Sequence, residues 1–146
     1  MKTEQAVEKF AEFLRTKGLR VTAPRREVIE LAWATRDHFS AEELTGWARR
    51  RKCKASRATV YRTLALLSEG NFLGRIERGG HTLYEHILGH KHHDHLICLG
   101  CGKIVEFVND TIESEQQKVV EKYKFKLISH THILEGVCQS CARAGN

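Results

Sequence analysis

Apolar residues near the start of the chain recur every three or four positions, which is the spacing of an α-helix with one buried face. Val7, Phe10, Ala11 and Leu14 form such a stripe, and Gly18 marks the end of this first helix. A second helix is predicted to start near Thr22, with Pro24 in its first turn, where a missing N–H costs least. The buried residues predicted for this second helix are Val28, Ile29 and Leu31.

Two further helices are indicated by the residues that begin and end them. Ser40 and Glu43 form a capping box, in which each side chain satisfies the other's backbone N–H, so a third helix begins there and runs toward the basic cluster 49–52. Ser56 is a suitable N-cap and Gly70 a suitable stop for a fourth helix. The buried face predicted for the fourth helix is Val60, Leu64 and Leu67.

The opposite face of the fourth helix carries small, polar and cationic side chains. They are Ala58, Thr59, Tyr61, Arg62 and Ala65. Such a face can enter the major groove of DNA without steric or electrostatic conflict, and the alternative is an ordinary solvated surface. Two short strand-like runs follow, 72–78 and 81–85, joined by Gly79-Gly80 as in a β-hairpin. Helices followed by a hairpin are typical of a winged helix-turn-helix.

The second half of the chain has the pattern of a small α+β domain. Strands are predicted over 95–98 and 103–107, and a helix opens at Asn109 or Asp110, with Asp110 and Glu113 in capping-box positions. The apolar stripe of this helix is Ile112, Val119, Val120 and Tyr123, and a further strand is marked by Phe125, Leu127 and Ile133. Pairing with a second copy would relieve the exposed strand edges, which predicts a homodimer.

We therefore expect a winged helix-turn-helix DNA-binding domain over 1–85, a hinge over 86–93 and a small α/β dimerisation and metal-binding domain over 94–146. The charge is divided in a similar way. Residues 1–81 carry 17 basic and 10 acidic side chains, whereas residues 82–146 carry 7 and 8. This asymmetry favours a polyanion-binding module joined to a near-neutral one.

The cysteines point to a structural metal site. No apolar run is long enough to span a bilayer, and the N-terminus lacks a signal-peptide core, so a cytoplasmic protein is expected. In that reducing compartment, paired cysteines bind metal more often than they form disulfides. Cys98 and Cys101 form one Cys-x-x-Cys pair, and Cys138 and Cys141 form another. Two such pairs with identical spacers indicate one tetrahedral Zn²⁺ rather than a thioredoxin-like redox motif. Cys53 is interpreted as an ordinary free thiol.

A histidine-rich segment, residues 90–95, ends two residues before the first cysteine pair. On a strand, alternation sends His93 and His95 to one side and His92 and Asp94 to the other, so one segment can serve two metal ions. Such imidazole and carboxylate donors suit Fe(II), Mn(II) or Zn(II), and they bind more reversibly than four thiolates do.

Six short segments, spread over almost the whole chain, together match the motifs of one protein family. They are residues 18–25, 38–44, 58–62, 83–85, 92–98 and 101–107. In these segments the chain resembles the ferric uptake regulator family of metal-dependent repressors. The resemblance implies a DNA-binding regulator rather than an enzyme, which binds operator DNA as a homodimer when it is loaded with a divalent metal.

The resemblance also implies roles for individual residues. The DNA contacts would be Arg20, in the minor groove, and Thr59, Tyr61 and Arg62, on the recognition helix. The ligands of the structural Zn²⁺ would be Cys98, Cys101, Cys138 and Cys141. The regulatory ligands would be His38, Glu85, His93 and His95, with His86 or His90 as alternatives to Glu85. An additional ion would be held by His92, Asp94, Glu113 and His130, unless Glu113 is a helix-start carboxylate and His130 a surface residue of a strand.

Members of this family respond to iron, zinc, manganese, nickel or peroxide. Peroxide sensors carry aspartate at the position of Glu106, so glutamate there favours an iron regulator that uses Fe²⁺. A peroxide sensor or a zinc sensor is the alternative, because ligand type discriminates Fe(II) from Zn(II) poorly. A zinc hydrolase or deaminase is disfavoured because its signatures do not occur, and an RNA-binding structural zinc module leaves the second set of ligands unexplained.

Overall fold

The computed structural model describes residues 2–88 and 92–145. The chain divides into two compact units, Met1–Lys91 and His92–Asn146, and each contains a three-stranded sheet. The centre of the expected hinge, 89–91, lies outside the described residues. No helix in the described ranges is long and apolar enough to cross a membrane.

In its described part, the first unit contains four helices and a sheet of order β1-β3-β2. The elements are α1 (Thr3–Thr16), α2 (Ala23–Trp33), β1 (Phe39–Ser40), α3 (Ala41–Arg50), α4 (Arg57–Glu69), β2 (Leu73–Arg78) and β3 (His81–His86). The four helices and the hairpin agree with the sequence prediction. The strand β1 was not predicted, because two residues are too few to show an alternating pattern, yet it pairs antiparallel with β3.

The helix starts follow from their capping residues. The Ser40 hydroxyl accepts the backbone N–H of Glu43 at 3.1 Å, and the Glu43 carboxylate accepts the backbone N–H of Ser40 at 2.7 Å. The Ser56 hydroxyl accepts the backbone N–H of Thr59 at 3.2 Å. These bonds satisfy donors that the first helical turn otherwise leaves unpaired. They fix the residue at which α4 begins, and with it the side chains on its outer face.

The core of the first unit joins the inner faces of the helices to the hairpin. Its largest fully buried side chains are Phe10, Leu14, Ile29, Phe39, Leu44, Leu64, Leu67, Leu73 and Ile76. Phe10 packs edge to face on Phe72, with ring centroids 5.4 Å apart. On α4, Val60 is also buried, whereas Tyr61 and Arg62 are exposed. The predicted division of α4 into a buried and a solvent-facing side is therefore confirmed.

The second unit is built around its central strand. Its elements are β4 (Asp94–Cys98), β5 (Ile104–Phe107), α5 (Asp110–Lys122), β6 (Ile133–Gly136) and α6 (Gln139–Ala144). Strand β4 pairs antiparallel with β5 and parallel with β6. The predicted strand through Phe125 and Leu127 is wrong at its start, because the strand begins only at Ile133 and Phe125 is 77% exposed.

Helix α5 has a different cap from the one predicted. Asn109, rather than a capping box of Asp110 and Glu113, accepts the backbone N–H groups of Thr111 and Ile112 through its side-chain oxygen. The short helix α6 was not predicted, because it begins inside the second cysteine pair, where no apolar periodicity precedes it.

The second unit buries little apolar surface within one chain. Among its described residues, the buried apolar ones are Ile97, Cys98 and Cys141, and α5 has no buried residue. Its large exposed apolar side chains are Leu96, Leu99, Val105, Val108, Val119, Tyr123, Phe125, Leu127, Ile128, Leu134 and Val137. Exposed apolar surface on this scale is typical of a protein interface and fits the expected homodimer.

Replacing Ser40 with alanine removes the acceptor for the backbone N–H of Glu43. We expect Ser40→Ala to lower the free energy of unfolding of the first unit by about 1 kcal/mol. Urea unfolding followed by tryptophan fluorescence measures this, because Trp33 and Trp47 both lie in the first unit. Ser40→Thr keeps the hydroxyl and should remain close to the parent. Equal stability of the alanine variant and the parent would contradict the cap's role.

Candidate metal centres and nucleic-acid interface

The four cysteines of the two Cys-x-x-Cys pairs converge within the second unit. Their sulfur atoms all lie within 4.8 Å of one another, and those of Cys101 and Cys138 are 3.8 Å apart. A tetrahedron with metal–sulfur bonds of about 2.3 Å has edges of about 3.8 Å. Cys98 ends β4 and Cys101 follows in the turn before β5, whereas Cys138 precedes α6 and Cys141 lies within it. A zinc ion held here connects the central strand to the C-terminal helix.

The protonation of these thiols also fits a cation. The backbone N–H of Cys138 donates to the Cys98 sulfur at 3.2 Å, and this bond is the main reason why the pKa of Cys98 falls to about 6. Hydrogen bonding with the Cys138 side chain is the main reason why the pKa of Cys141 rises to about 12. One sulfur is thus stabilised as a thiolate while its neighbour keeps its proton. A divalent cation allows all four to be thiolates, so the residues fit Zn²⁺.

A second cluster contains the four donors predicted for an additional ion. The Nε2 atom of His92 lies 3.3 Å from a carboxylate oxygen of Asp94, 3.1 Å from one of Glu113 and 2.9 Å from the Nε2 atom of His130. All four donor atoms lie within 4.8 Å of one another. Glu113 lies in the first turn of α5, but it also faces both histidines. His130 precedes β6 and lies on no strand.

Asp94 makes this cluster suitable for a cation. Its side chain is 1% exposed, and neither carboxylate oxygen accepts a hydrogen bond. A buried carboxylate is costly unless a positive charge or hydrogen-bond donors compensate it. The second oxygen of Asp94 lies 3.5 Å from Nδ1 of His132, a residue outside the ligand set expected from the sequence. The residues therefore fit a divalent metal, with His132 beside its carboxylate ligand.

Two donors predicted for the regulatory ion lie together in the first unit. The Nε2 atom of His38 is 3.4 Å from a carboxylate oxygen of Glu85. His38 immediately precedes β1 and Glu85 lies on β3, so the pairing of these strands brings the two side chains together. His86 instead places its Nε2 atom 3.0 Å from a carbonyl oxygen of α2 and packs on Trp33. His90, the other alternative to Glu85, lies outside the described residues.

The other two predicted regulatory donors lie together in the second unit. The rings of His93 and His95 are 4.9 Å apart, and a carboxylate oxygen of Glu106 lies 3.8 Å from Nε2 of His93. His95 and Glu106 are also direct partners in the β4–β5 ladder. Glu106 was absent from the predicted ligand set, because its position beside the histidines depends on the register of two strands. The predicted alternation is present, although β4 begins only at Asp94.

The exposed side of α4 forms a cationic surface of the first unit. Tyr61 and Arg62 are exposed, while the Thr59 hydroxyl lies 3.0 Å from that of the N-cap serine and is partly buried. A cleft of ≈ 230 Å³ beside this surface is lined by Thr22, Pro24, Arg25, Thr59 and Arg62. Arg20 is exposed, and its carbonyl oxygen accepts a hydrogen bond from Arg25 at 2.7 Å. Two of the predicted DNA-contacting residues, Thr59 and Arg62, thus line a solvent-accessible cleft, and Arg20 is bonded to Arg25 of the same cleft.

Comparison with known proteins identifies the family. The Ferric uptake regulator family matches this chain over residues 16–135. The chain belongs to the ferric uptake regulator family. It is 36% identical over 138 residues to the ferric uptake regulation protein of Helicobacter pylori, covering 94% of this chain and 92% of that protein. Members of the family are transcription regulators and not enzymes.

Two solved structures of family members are similar to this regulator. The Helicobacter pylori ferric uptake regulator superposes with a TM-score of 0.82 at 36% identity, covering 97% of this chain and 95% of that one, and it reveals three functional metal binding sites. The iron-containing regulator from Francisella tularensis superposes with a TM-score of 0.74 at 30% identity, covering 86% of this chain and 96% of that one. The α+β fold with an N-terminal winged helix-turn-helix and a dimerisation domain is thereby confirmed.

Two glycines allow the metal donors of this regulator to come together, and the sequence alone did not single them out. A Cβ on Gly100 would lie 2.9 Å from the Cys141 sulfur. A Cβ on Gly74, the β-ladder partner of Glu85, would lie 2.9 Å from a carboxylate oxygen of Glu85 and 2.9 Å from a methyl carbon of Ile87. All three distances are too short for a real contact, so a side chain at either position displaces its neighbours, a donor among them.

We expect Gly100→Ala to lose the structural Zn²⁺ at chelator concentrations at least about tenfold below those that the parent tolerates. The reason is that the added methyl group pushes Cys141 away from the other three sulfurs. Zinc content after chelator titration, measured by inductively coupled plasma mass spectrometry, checks this. Gly136→Ala is the matched control, because its Cβ meets nothing within 4 Å. Equal zinc retention by the two variants would contradict the close approach.

We expect Gly74→Ala to weaken binding of a divalent metal at the predicted regulatory donors by about tenfold, because it displaces the Glu85 carboxylate. Competition titration with a fluorescent chelator, on protein that retains its structural zinc, measures this affinity. In the control Gly46→Ala, the new Cβ makes an ordinary contact of 3.5 Å with Arg50. An unchanged affinity in the folded Gly74 variant would show that Glu85 is not a ligand.

Proposed function

We propose that this chain is a metal-responsive transcriptional repressor of iron homeostasis, which binds operator DNA as a homodimer when it is loaded with Fe²⁺. The observation that carries the proposal is the assembly of nitrogen and oxygen donors around the segment 92–95, in a protein whose first unit presents an exposed cationic helix. Its relatives named as ferric uptake regulators support iron as the effector. We expect the regulator to act in the cytoplasm.

The regulatory ion is proposed to bind His38, Glu85, His93 and His95, to which we add Glu106 as a fifth donor. The short distances from His38 to Glu85 and from His93 to Glu106 support this ligand set. Metal bound by donors from both units restricts the arrangement of one unit relative to the other. This is a population shift, in which the metal favours the arrangement to which it binds more tightly.

The other ions have different roles in this proposal. Zn²⁺ on Cys98, Cys101, Cys138 and Cys141 is structural, because four thiolates hold it tightly. The exposed apolar residues of the same unit form the dimer interface. An additional ion is proposed for His92, Asp94, Glu113 and His130, supported by the buried carboxylate of Asp94, which accepts no hydrogen bond.

DNA recognition is assigned to the first unit. Tyr61 and Arg62 on the exposed side of α4, with Thr59 at its start, are proposed to enter the major groove, and Arg20 to enter the minor groove. Support comes from the exposure of Tyr61, Arg62 and Arg20 and from the cleft that Thr59 and Arg62 line. Mn²⁺ or Zn²⁺ can replace Fe²⁺ at the regulatory donors in the test tube, because the same donor types bind all three ions.

Replacing His93 with alanine should abolish the metal-stimulated part of DNA affinity, which we expect to be about 5- to 150-fold. Zinc content, folding and dimerisation should be retained, because His93 belongs to neither the cysteine cluster nor the apolar surface. Fluorescence anisotropy with an operator fragment, with and without Fe²⁺ under anaerobic conditions, measures the effect. His130→Ala, in the other donor set, should retain most of the stimulation.

Full operator affinity of the metal-free His93→Ala dimer would show that these donors are not the switch. Selective oxygen addition to His38 or His93 after mild peroxide treatment of the iron-loaded protein, seen by mass spectrometry, would instead favour a peroxide sensor.

A further inference from the structure

An acidic residue of α3 is bonded to the DNA-facing side of α4. The Tyr61 hydroxyl donates a hydrogen bond to the Glu42 carboxylate. The Arg57 guanidinium donates to the Tyr61 hydroxyl at 3.3 Å, lies 3.9 Å from the Glu42 carboxylate and sits over the Tyr61 ring, 5.3 Å from its centroid. These three residues, which we call the Glu42 triad, all lie in the first unit.

The charges of the triad are unusual for the start of a helix. Arg57 is the first residue of α4, and the first turn of α4 contains no acidic residue. A cation there is disfavoured by the helix dipole, so the arginine does not stabilise α4 by its position. Glu42 compensates the arginine from the neighbouring helix. The Tyr61 hydrogen bond is the main reason why the pKa of Glu42 is lowered, so Glu42 is a carboxylate at neutral pH.

The triad also lies where DNA is expected to bind. The N-terminal residues of a recognition helix contact base edges in the helix-turn-helix geometry. The side chains of Glu42 and Arg57 are 67% and 68% exposed, so both are accessible to a bound duplex. A phosphate that approaches Arg57 is repelled by the charge of Glu42, which lies 3.9 Å from the guanidinium.

From this geometry we propose that Glu42 is a specificity-determining residue. It opposes non-specific phosphate binding by Arg57 and Tyr61, and on the operator the bases replace Glu42 as the partner of these two residues. Arg57 thereby becomes a further DNA contact beside Tyr61 and Arg62. The proposal rests on the DNA-binding function proposed above. It differs from a purely structural role, since Glu42 acts through its charge and not through the folding of α3.

The test uses Glu42→Gln in the full-length, zinc-containing dimer loaded with Mn²⁺. Glutamine keeps an acceptor for the Tyr61 hydroxyl and removes the charge. Anisotropy titrations over a range of salt concentrations would use two duplexes of equal composition, one selected from a random library by the parent protein and one scrambled. Glu30→Gln is the matched control, because it removes one exposed carboxylate of the same unit outside the triad.

We expect Glu42→Gln to bind the scrambled duplex about three- to tenfold more tightly, and the slope of log affinity against log salt to steepen by up to about one. Affinity for the selected duplex should change by less than about twofold, so that the ratio between the two duplexes falls. Arg57→Ala should weaken binding to both duplexes. Adding Glu42→Gln to Arg57→Ala should produce a much smaller gain. The Glu30 variant should keep the parent's ratio.

The proposal is overturned if Glu42→Gln keeps the parent's ratio and salt slope, or if its effect is as large without Arg57 as with it. It is also overturned if the effect is confined to one base pair of the selected duplex, because Glu42 would then read a base directly. Failure of the metal-loaded parent to bind either duplex would overturn the proposed function itself. Circular dichroism melting of each variant excludes unfolding as the cause of a change.

Discussion

In the proposed assignment, the second unit depends on zinc held by four cysteines more than on apolar packing. Among its described residues, Ile97 is the one buried aliphatic side chain, and the other buried apolar residues are Cys98 and Cys141, two of the proposed zinc ligands. With so few buried apolar residues, a unit of this size needs a metal or a partner for its stability. Zinc and a second copy both supply binding energy that the core lacks. Folding, zinc loading and dimerisation of this unit are therefore linked equilibria.

The first unit has the opposite character. Its core of aromatic and aliphatic side chains is complete within one chain, and its helices begin at capping residues that need no metal. The recognition helix is therefore formed before any regulatory ion binds. The regulatory ion is therefore not needed to form the DNA-reading surface. Its proposed effect is to set the relative positions of the two DNA-reading surfaces of a dimer.

The features that were predicted correctly from the sequence depend on interactions between residues that are close together in the chain. Thr22, Ser40 and Ser56 cap helices within the next few residues, and Gly79-Gly80 closes a hairpin locally. The strand expected through Phe125 and Leu127 was wrong at its start. The sequence shows that these residues are apolar, but it does not show whether a strand or a protein interface covers them.

What the sequence did not reveal depends on register between distant strands. Glu106 comes to lie beside His93 only through the β4–β5 ladder, and Gly74 faces Glu85 only through the β2–β3 ladder. Gly100 was also not recognised from the sequence, because it matters only through the close approach of Cys141, which is distant in the chain. The segment 92–95 was an exception, because strand alternation alone separates its donors.

The central position of β4 limits which changes of sequence the protein can tolerate. This strand, with the two residues before it, carries donors of the three candidate metal centres, pairs with neighbours on both edges and ends at one of the clustered cysteines. A substitution removes one donor, but inserting or deleting a single residue between His92 and Cys98 exchanges the two faces of the strand or shifts the cysteine out of its cluster. The length of this segment is thus more constrained than its composition. Substitutions within this segment can change the metal preference, whereas insertions and deletions must occur elsewhere in the chain.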